Sequence, residues 1–96
     1  MTSKQRAYLR GLANTETPIL HVGKGGVIDT VIRQADDALT ARELIKGRVL
    51  ETAPLKAAEV AAQVAEATAS AGVCVCGRNF VLYRPHPEKP VIKLPR

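Results

Sequence analysis

The residues best suited to do chemistry are a glycine cluster with one cation in it, Gly23, Lys24, Gly25 and Gly26. A short β-branched run, Pro18 to Val22, leads into the cluster, and a stretch of helical periodicity follows it. Glycines let another backbone approach without a Cβ clash. Amides placed before a helix, with the helix dipole behind them, favour an anion. Lys24 adds a mobile positive charge. The loop is no mononucleotide phosphate loop: G-x-x-x-x-G-K-[ST] is absent, and Ile28 stands where G-x-G-x-x-G needs its last glycine. Gly23 to Gly26 does match a G-x-x-G clamp of the kind that grips a nucleic-acid backbone. A tight turn that simply needs glycine is the plainer alternative.

Other constellations are weaker. Cys74 and Cys76 fall on one face of a strand, where a bond between them would be strained. With His21 and His86 they make a nominal four-ligand set, but no C-x-x-C or H-x-x-H spacing supports a metal, so packing cysteines are expected. His21 lies in an apolar strand and reads as structural; His86, among prolines, reads as solvated. Asp36 and Asp37 sit on the polar side of a helix, and no Ser-His-acid spacing or carboxylate pair argues for catalysis. The expectation is a non-enzyme without cofactor, metal or small-molecule substrate. The aromatic residues are Tyr8, Phe80 and Tyr83. Broad base stacking is therefore disfavoured, although each tyrosine could stack one base.

The elements that must position the loop follow from periodicity. Thr2 and Gln5 form a capping-box pair at the start of a helix over roughly 3–13, with Tyr8, Leu9 and Leu12 on one side and Arg6 and Arg10 pointing away. Residues 18–22 read as a buried strand. Val27, Ile28, Val31, Ile32, Ala35, Ala38 and Leu39 share one arc of a second helix. Leu44 to Leu50 alternates, with Ile45, Gly47 and Val49 inward and Lys46 and Arg48 outward. Pro54 is placed to open a third, alanine-rich helix that Gly72 would end. Residues 73–76 and 80–84 flank a three-residue hairpin loop, Gly77 to Asn79. The order α-β-α-β-α-β-β predicts one compact α/β domain over 1–96, a four-stranded mixed sheet backed by helices with right-handed parallel crossovers. Residues 85–96, with four prolines, read as an extended tail in which 91–94 could form an edge strand.

Charge is segregated along the chain. Residues 1–26 carry four bases and one acid, residues 77–96 five and one, and residues 27–76 five and seven. Bringing the two ends together makes a positive face, which attracts polyanions such as nucleic acid. A hydrophobic fraction of 46% excludes a disordered chain, and no apolar run approaches the ~18 residues of a membrane helix, so a cytoplasmic protein is expected. Phosphate contacts would come from Lys4, Arg6, Arg10, Lys24, Lys46, Arg48, Arg78 and Arg84.

Four segments in order, Lys4 to Arg10, Gly23 to Gly26, Glu43 to Lys46 and Val81 to Pro85, resemble the CRM domain, named for chloroplast RNA splicing and ribosome maturation. The likeness spans nearly the whole chain, and in size it is similar to the stand-alone bacterial YhbY-type proteins. It implies a fold akin to the C-terminal domain of bacterial translation initiation factor 3. It also implies RNA binding through Gly23, Lys24, Gly25, Gly26 and neighbouring basic surface, with large-subunit ribosomal RNA or its pre-50S precursor particle as partner. Gly47 departs from the family pattern, which more often has a β-branched residue there, and is expected to weaken its strand. A DNA-binding protein or a protein-interaction adaptor would share much of this charge; salt dependence separates the adaptor, and competition between duplex DNA and structured RNA the former.

Overall fold

The computed structural model describes residues 2–94. Helix α1 spans Ser3–Ala13 and opens on the expected capping box: the Gln5 N–H donates to Thr2 Oγ1 and the Thr2 N–H to Gln5 Oε1. Then come β1 (Leu20–Val22), α2 (Asp29–Arg42), β2 (Leu44–Val49), α3 (Ala57–Thr68), β3 (Ala71–Cys76) and β4 (Asn79–Tyr83). The order is the expected one, and the sheet is four-stranded and mixed, β1-β2-β4-β3.

The crossover through α2 sets β1 parallel to β2, with His21 opposite Arg48. The crossover through α3 does not pair β3 with β2. Instead β4 folds back between them, antiparallel to both. A tight hairpin lets β4 take the central position beside β2, so its apolar run Phe80–Tyr83 is buried on both faces.

Alternation along the strands divides the core. Leu20, Val22, Ile45, Val49, Phe80 and Leu82 face α2 and α3. Leu44, Val73, Val81 and Tyr83 face Leu9 and Ala13 of α1. The sheet thus has two helices on one face and one shorter helix on the other. Gly47, expected to weaken β2, lies directly opposite Phe80, and a Cβ there would fall 2.2 Å from the ring's Cζ. The missing side chain is the seat of the ring.

Several boundaries differ from expectation for identifiable reasons. Helix α2 starts at Asp29, leaving Ile28 as an exposed N-cap. Pro54 precedes α3 instead of opening it; its ring backs the glycine loop, where a Cβ on Gly26 would stand 3.5 Å from Pro54 Cγ. Helix α3 stops at left-handed Ala69 and not at Gly72, which belongs to β3. There the Ser70 N–H reaches Ala65 O at 2.9 Å and the Ala69 N–H reaches Glu66 O at 3.4 Å, a Schellman pattern. The hairpin loop has two residues, Gly77 and Arg78, with Gly77 at φ 61°.

The tail has no helix or strand over 85–94, so 91–94 is not an edge strand; Pro95 and Arg96 lie outside the described residues. It is nonetheless anchored. Ile92 and Leu94 pack against the α1 side of the core. Buried Glu43, which caps α2 at φ 66°, accepts from the N–H groups of His86, Val91 and Ile92. His86 is half-buried and its Nδ1 accepts from the N–H groups of Glu88 and Lys89, so it orders a turn.

Candidate nucleic-acid interface

The carboxyl ends of β1 and β2, the end of β3 and the start of β4 lie at one end of the sheet, because β1 and β2 are parallel and the hairpin returns there. The Gly23–Gly26 loop leaves β1 at that end. Its turn is closed by the Gly26 N–H on Gly23 O at 2.9 Å, and Gly26 takes φ 71°. Gly26 is therefore the position that requires glycine for conformation. Lys24 and Gly25 are exposed at the tip. A Cβ on Gly25 would meet Ile28 at an ordinary 3.7 Å, so Gly25 is not dictated by crowding.

Helices α2 and α3 both begin at this end, since each runs back from the finish of a strand. Their N-caps, Ile28 and Lys56, provide no side-chain hydrogen bond to the first-turn amides. Two sets of helix N–H groups thus stay open beside the glycine loop, and their dipoles add positive potential. Arg78, at the hairpin tip, lies close by: its carbonyl accepts from the Val49 N–H at 2.8 Å. Its guanidinium holds exposed Glu51 at 3.2 Å, a solvent-screened pair that exchanges readily.

The α1 side of the sheet continues this positive end. Helix α1 covers only the half of the face that carries Leu44, Val73 and Tyr83. The other half leaves Arg48 and His21 exposed and Lys46 half-buried. Arg10 and Asn14 border it from the last turn and cap of α1. Burial pushes the Cys74 thiol up, while Arg10, Lys46 and Arg6 act against that rise. Among the described residues Arg10, Lys24, Lys46 and Arg48 have no ion pair.

The structure therefore gathers Lys24, Arg78, Arg48, Lys46 and Arg10 around one end and one face, and separates the rest. Arg84 is a fold residue. Its Nη1 donates to Asp36 Oδ1 at 2.6 Å and Thr68 O at 2.7 Å, and its Nη2 to Asp36 O at 3.0 Å and Thr40 Oγ1 at 2.9 Å. Those bonds tie α2 to the end of α3. Arg6 does not point away from the sheet: its Nη1 donates to the carbonyls of Gly72 and Val73 at 3.2 and 3.1 Å. Lys4 lies in the first turn of α1, at the opposite end from the loop. Tyr83 is buried and its hydroxyl is pushed up, first by burial and then by the Glu43 charge; Tyr8 is 43% exposed.

Sequence reasoning missed three residues of this surface. His21 reads as buried in an apolar run, yet its strand alternates buried-exposed-buried. Lys56 reads as part of a helical stripe, yet it is the N-cap of α3. Asn79 reads as a turn residue, yet it begins β4 with a buried Oδ1 that has no partner. The alternation was the available signal for His21; the other two depend on where α3 and β4 start.

No cluster of three or more potential metal ligands occurs among the described residues, and none of their helices is long and apolar enough to cross a membrane. A mixed four-stranded sheet with two helices on one face and one on the other, and with cations gathered at one end, defines a small α/β domain with one electropositive end. The chain belongs to the CRS1/YhbY (CRM) domain family, whose family model matches residues 1–84. It is 42% identical over 95 residues to the "Probable RNA-binding protein YqeI" of Bacillus subtilis, covering 99% of each chain. It is 32% identical over 96 residues to an RNA-binding protein of Haemophilus influenzae, covering 100% of this chain and 96% of that one. Among solved structures, it is similar to the solution structure of hypothetical protein SAV1595 from Staphylococcus aureus, described as a candidate RNA-binding protein. The TM-score is 0.83, with 44% identity and 99% coverage of both chains.

Proposed function

We propose that this protein is a cytoplasmic, non-enzymatic RNA-binding module that grips structured ribosomal RNA during assembly of the large subunit. The observation that carries the reading is the convergence at one sheet end of the Gly23–Gly26 loop, two helix N-termini without side-chain caps and the cations Lys24, Arg78 and Arg48. The relatives, which bear RNA-binding names, select RNA among polyanions. Loop amides and Lys24 hold one phosphate stretch. Lys46, Arg48 and Arg10 then hold the strand as it crosses the open face. Such contacts read shape and backbone more than sequence.

The test is binding to large-subunit ribosomal RNA fragments across a series of salt concentrations, with duplex DNA as competitor at equal phosphate. Wild type is compared with Lys24→Ala combined with Gly25→Asp, a pair the loop geometry tolerates. Log affinity should fall linearly with log salt, by about 0.7 to 0.9 per phosphate contact. The variant should stay folded and lose most of its binding. Equal binding by the folded variant sinks the loop as the clamp, and equal preference for duplex DNA sinks RNA as the partner.

A further inference from the structure

The open half of the α1-side face holds a cavity of about 260 Å³ between the end of α1 and strands β2, β4 and β3. Arg10 and Asn14 border it from α1, Lys46 from β2, Cys74 and Cys76 from β3, and Asn79 from β4. It is smaller than the ~300–1,000 Å³ typical of sites for drug-sized ligands, which suits one planar ring better than a whole cofactor. Two features distinguish it from a simple gap between helix and sheet. The Asn79 Oδ1 is buried without a hydrogen-bond partner, whereas buried polar atoms nearly always have one. In addition, Arg10 and Lys46, neither engaged in an ion pair among the described residues, stand at the same cavity.

We propose that this cavity is a nucleotide subsite that receives one unstacked base, with the adjoining phosphate on Arg10 and Lys46. A side-chain amide offers an acceptor and two donors side by side. Each RNA base has a donor next to an acceptor on its Watson–Crick edge, so the Asn79 amide is complementary to an unpaired base and not to a paired one. The last torsion of asparagine is soft, so the amide turns toward a base without moving the strand. Asn14 supplies a second amide on the α1 side. This inference rests on the RNA-binding reading and adds to it: the RNA must present an unpaired nucleotide next to the stretch held by the glycine loop.

The experiment is an NMR titration of the full chain with each of the four nucleoside 5′-monophosphates, and with ribose 5-phosphate as the control lacking a base. The nucleotides should shift the Asn79 side-chain amide and the Cys76 backbone amide strongly, and ribose 5-phosphate, which can reach only Arg10 and Lys46, should shift them far less. Asn79→Ala removes an unpartnered buried atom, so it should fold as well as wild type, and it should bind nucleotides at least threefold more weakly. As a second readout, alkylation of exposed Cys76 by iodoacetamide should slow when nucleotide is bound. Equal shifts from ribose 5-phosphate, or equal affinity in Asn79→Ala, overturn the subsite. If either result accompanies salt-sensitive, loop-dependent RNA binding, the subsite fails alone. Failure of wild type to bind any RNA overturns the broader reading.

Discussion

Gly47 and Phe80 show how one absent side chain makes room for another. They sit opposite each other in the antiparallel pair, and the Phe80 ring lies over Gly47 with no exposed surface. Gly47→Ala should destabilise the fold by about 1–3 kcal/mol through overpacking. In a domain of this size that lowers Tm by roughly 4–8 °C per kcal/mol, readable by thermal denaturation. Adding Phe80→Leu should recover part of the loss; independent, additive losses would disprove the pairing. Arg78 offers a second test at this scale. Its exposed partner Glu51 competes with any incoming phosphate. Glu51→Gln should raise RNA affinity a few-fold at low salt, in line with the ~0–1 kcal/mol of surface pairs, and the gain should vanish at high salt.

Among the elements, the tail depends on one carboxylate. Burial pushes the Glu43 pKa up, but hydrogen bonds from the His86, Val91 and Ile92 amides and the nearby His86 outweigh it, leaving the pKa below its ordinary value. A carboxylate depressed in the folded state stabilises above the unfolded value of about 4.3, and that stability is lost as pH falls through the lower folded value. Urea denaturation should therefore show a stability loss below about pH 4 that Glu43→Gln largely removes. Hydrogen exchange at the Val91 and Ile92 amides should quicken over the same range. A wild-type curve as flat as that of the variant would show that Glu43 does not latch the tail. Helix α3 shows the same dependence on remote partners. It stops at Ala69 with the Thr68 carbonyl bonded to Arg84, which follows β4, and no glycine is needed.

At the scale of the molecule, the proposed binding rests on where charge lies more than on its total. The net charge is +5, and the 39 × 25 × 21 Å body separates the glycine-loop end from the Glu43 and tail end. Lys24→Glu with Arg48→Glu should abolish binding to the ribosomal RNA fragments and flatten the salt dependence. Lys89→Glu with Lys93→Glu changes net charge equally at the tail, and should weaken binding only at low ionic strength, where fields reach across the molecule. Equal losses from the two pairs, measured at several salt concentrations, would mean that net charge and not the loop end governs binding.

Local signals determined much of this protein from sequence alone. The capping box at Thr2 and Gln5, the helical arc of Val31, Ala35 and Leu39, and the alternation of Ile45 with Lys46 act over one or two turns or pleats, so the order of elements and the outward face of Lys46 and Arg48 were legible. The turn at Gly23–Gly26 was legible for the same reason. Contacts between distant segments decided the rest. Placing β4 between β2 and β3 brought Arg78 to the end of β2, at the same end of the sheet as the glycine loop, and made Gly47 a seat for Phe80. The same placement engaged Arg84 with Asp36 and Thr68, although nothing near it in sequence marks it as a fold residue. Periodicity records which way a side chain points relative to its own backbone. Only the packed sheet decides what it meets there, and that made His21 and Asn79 part of the open face.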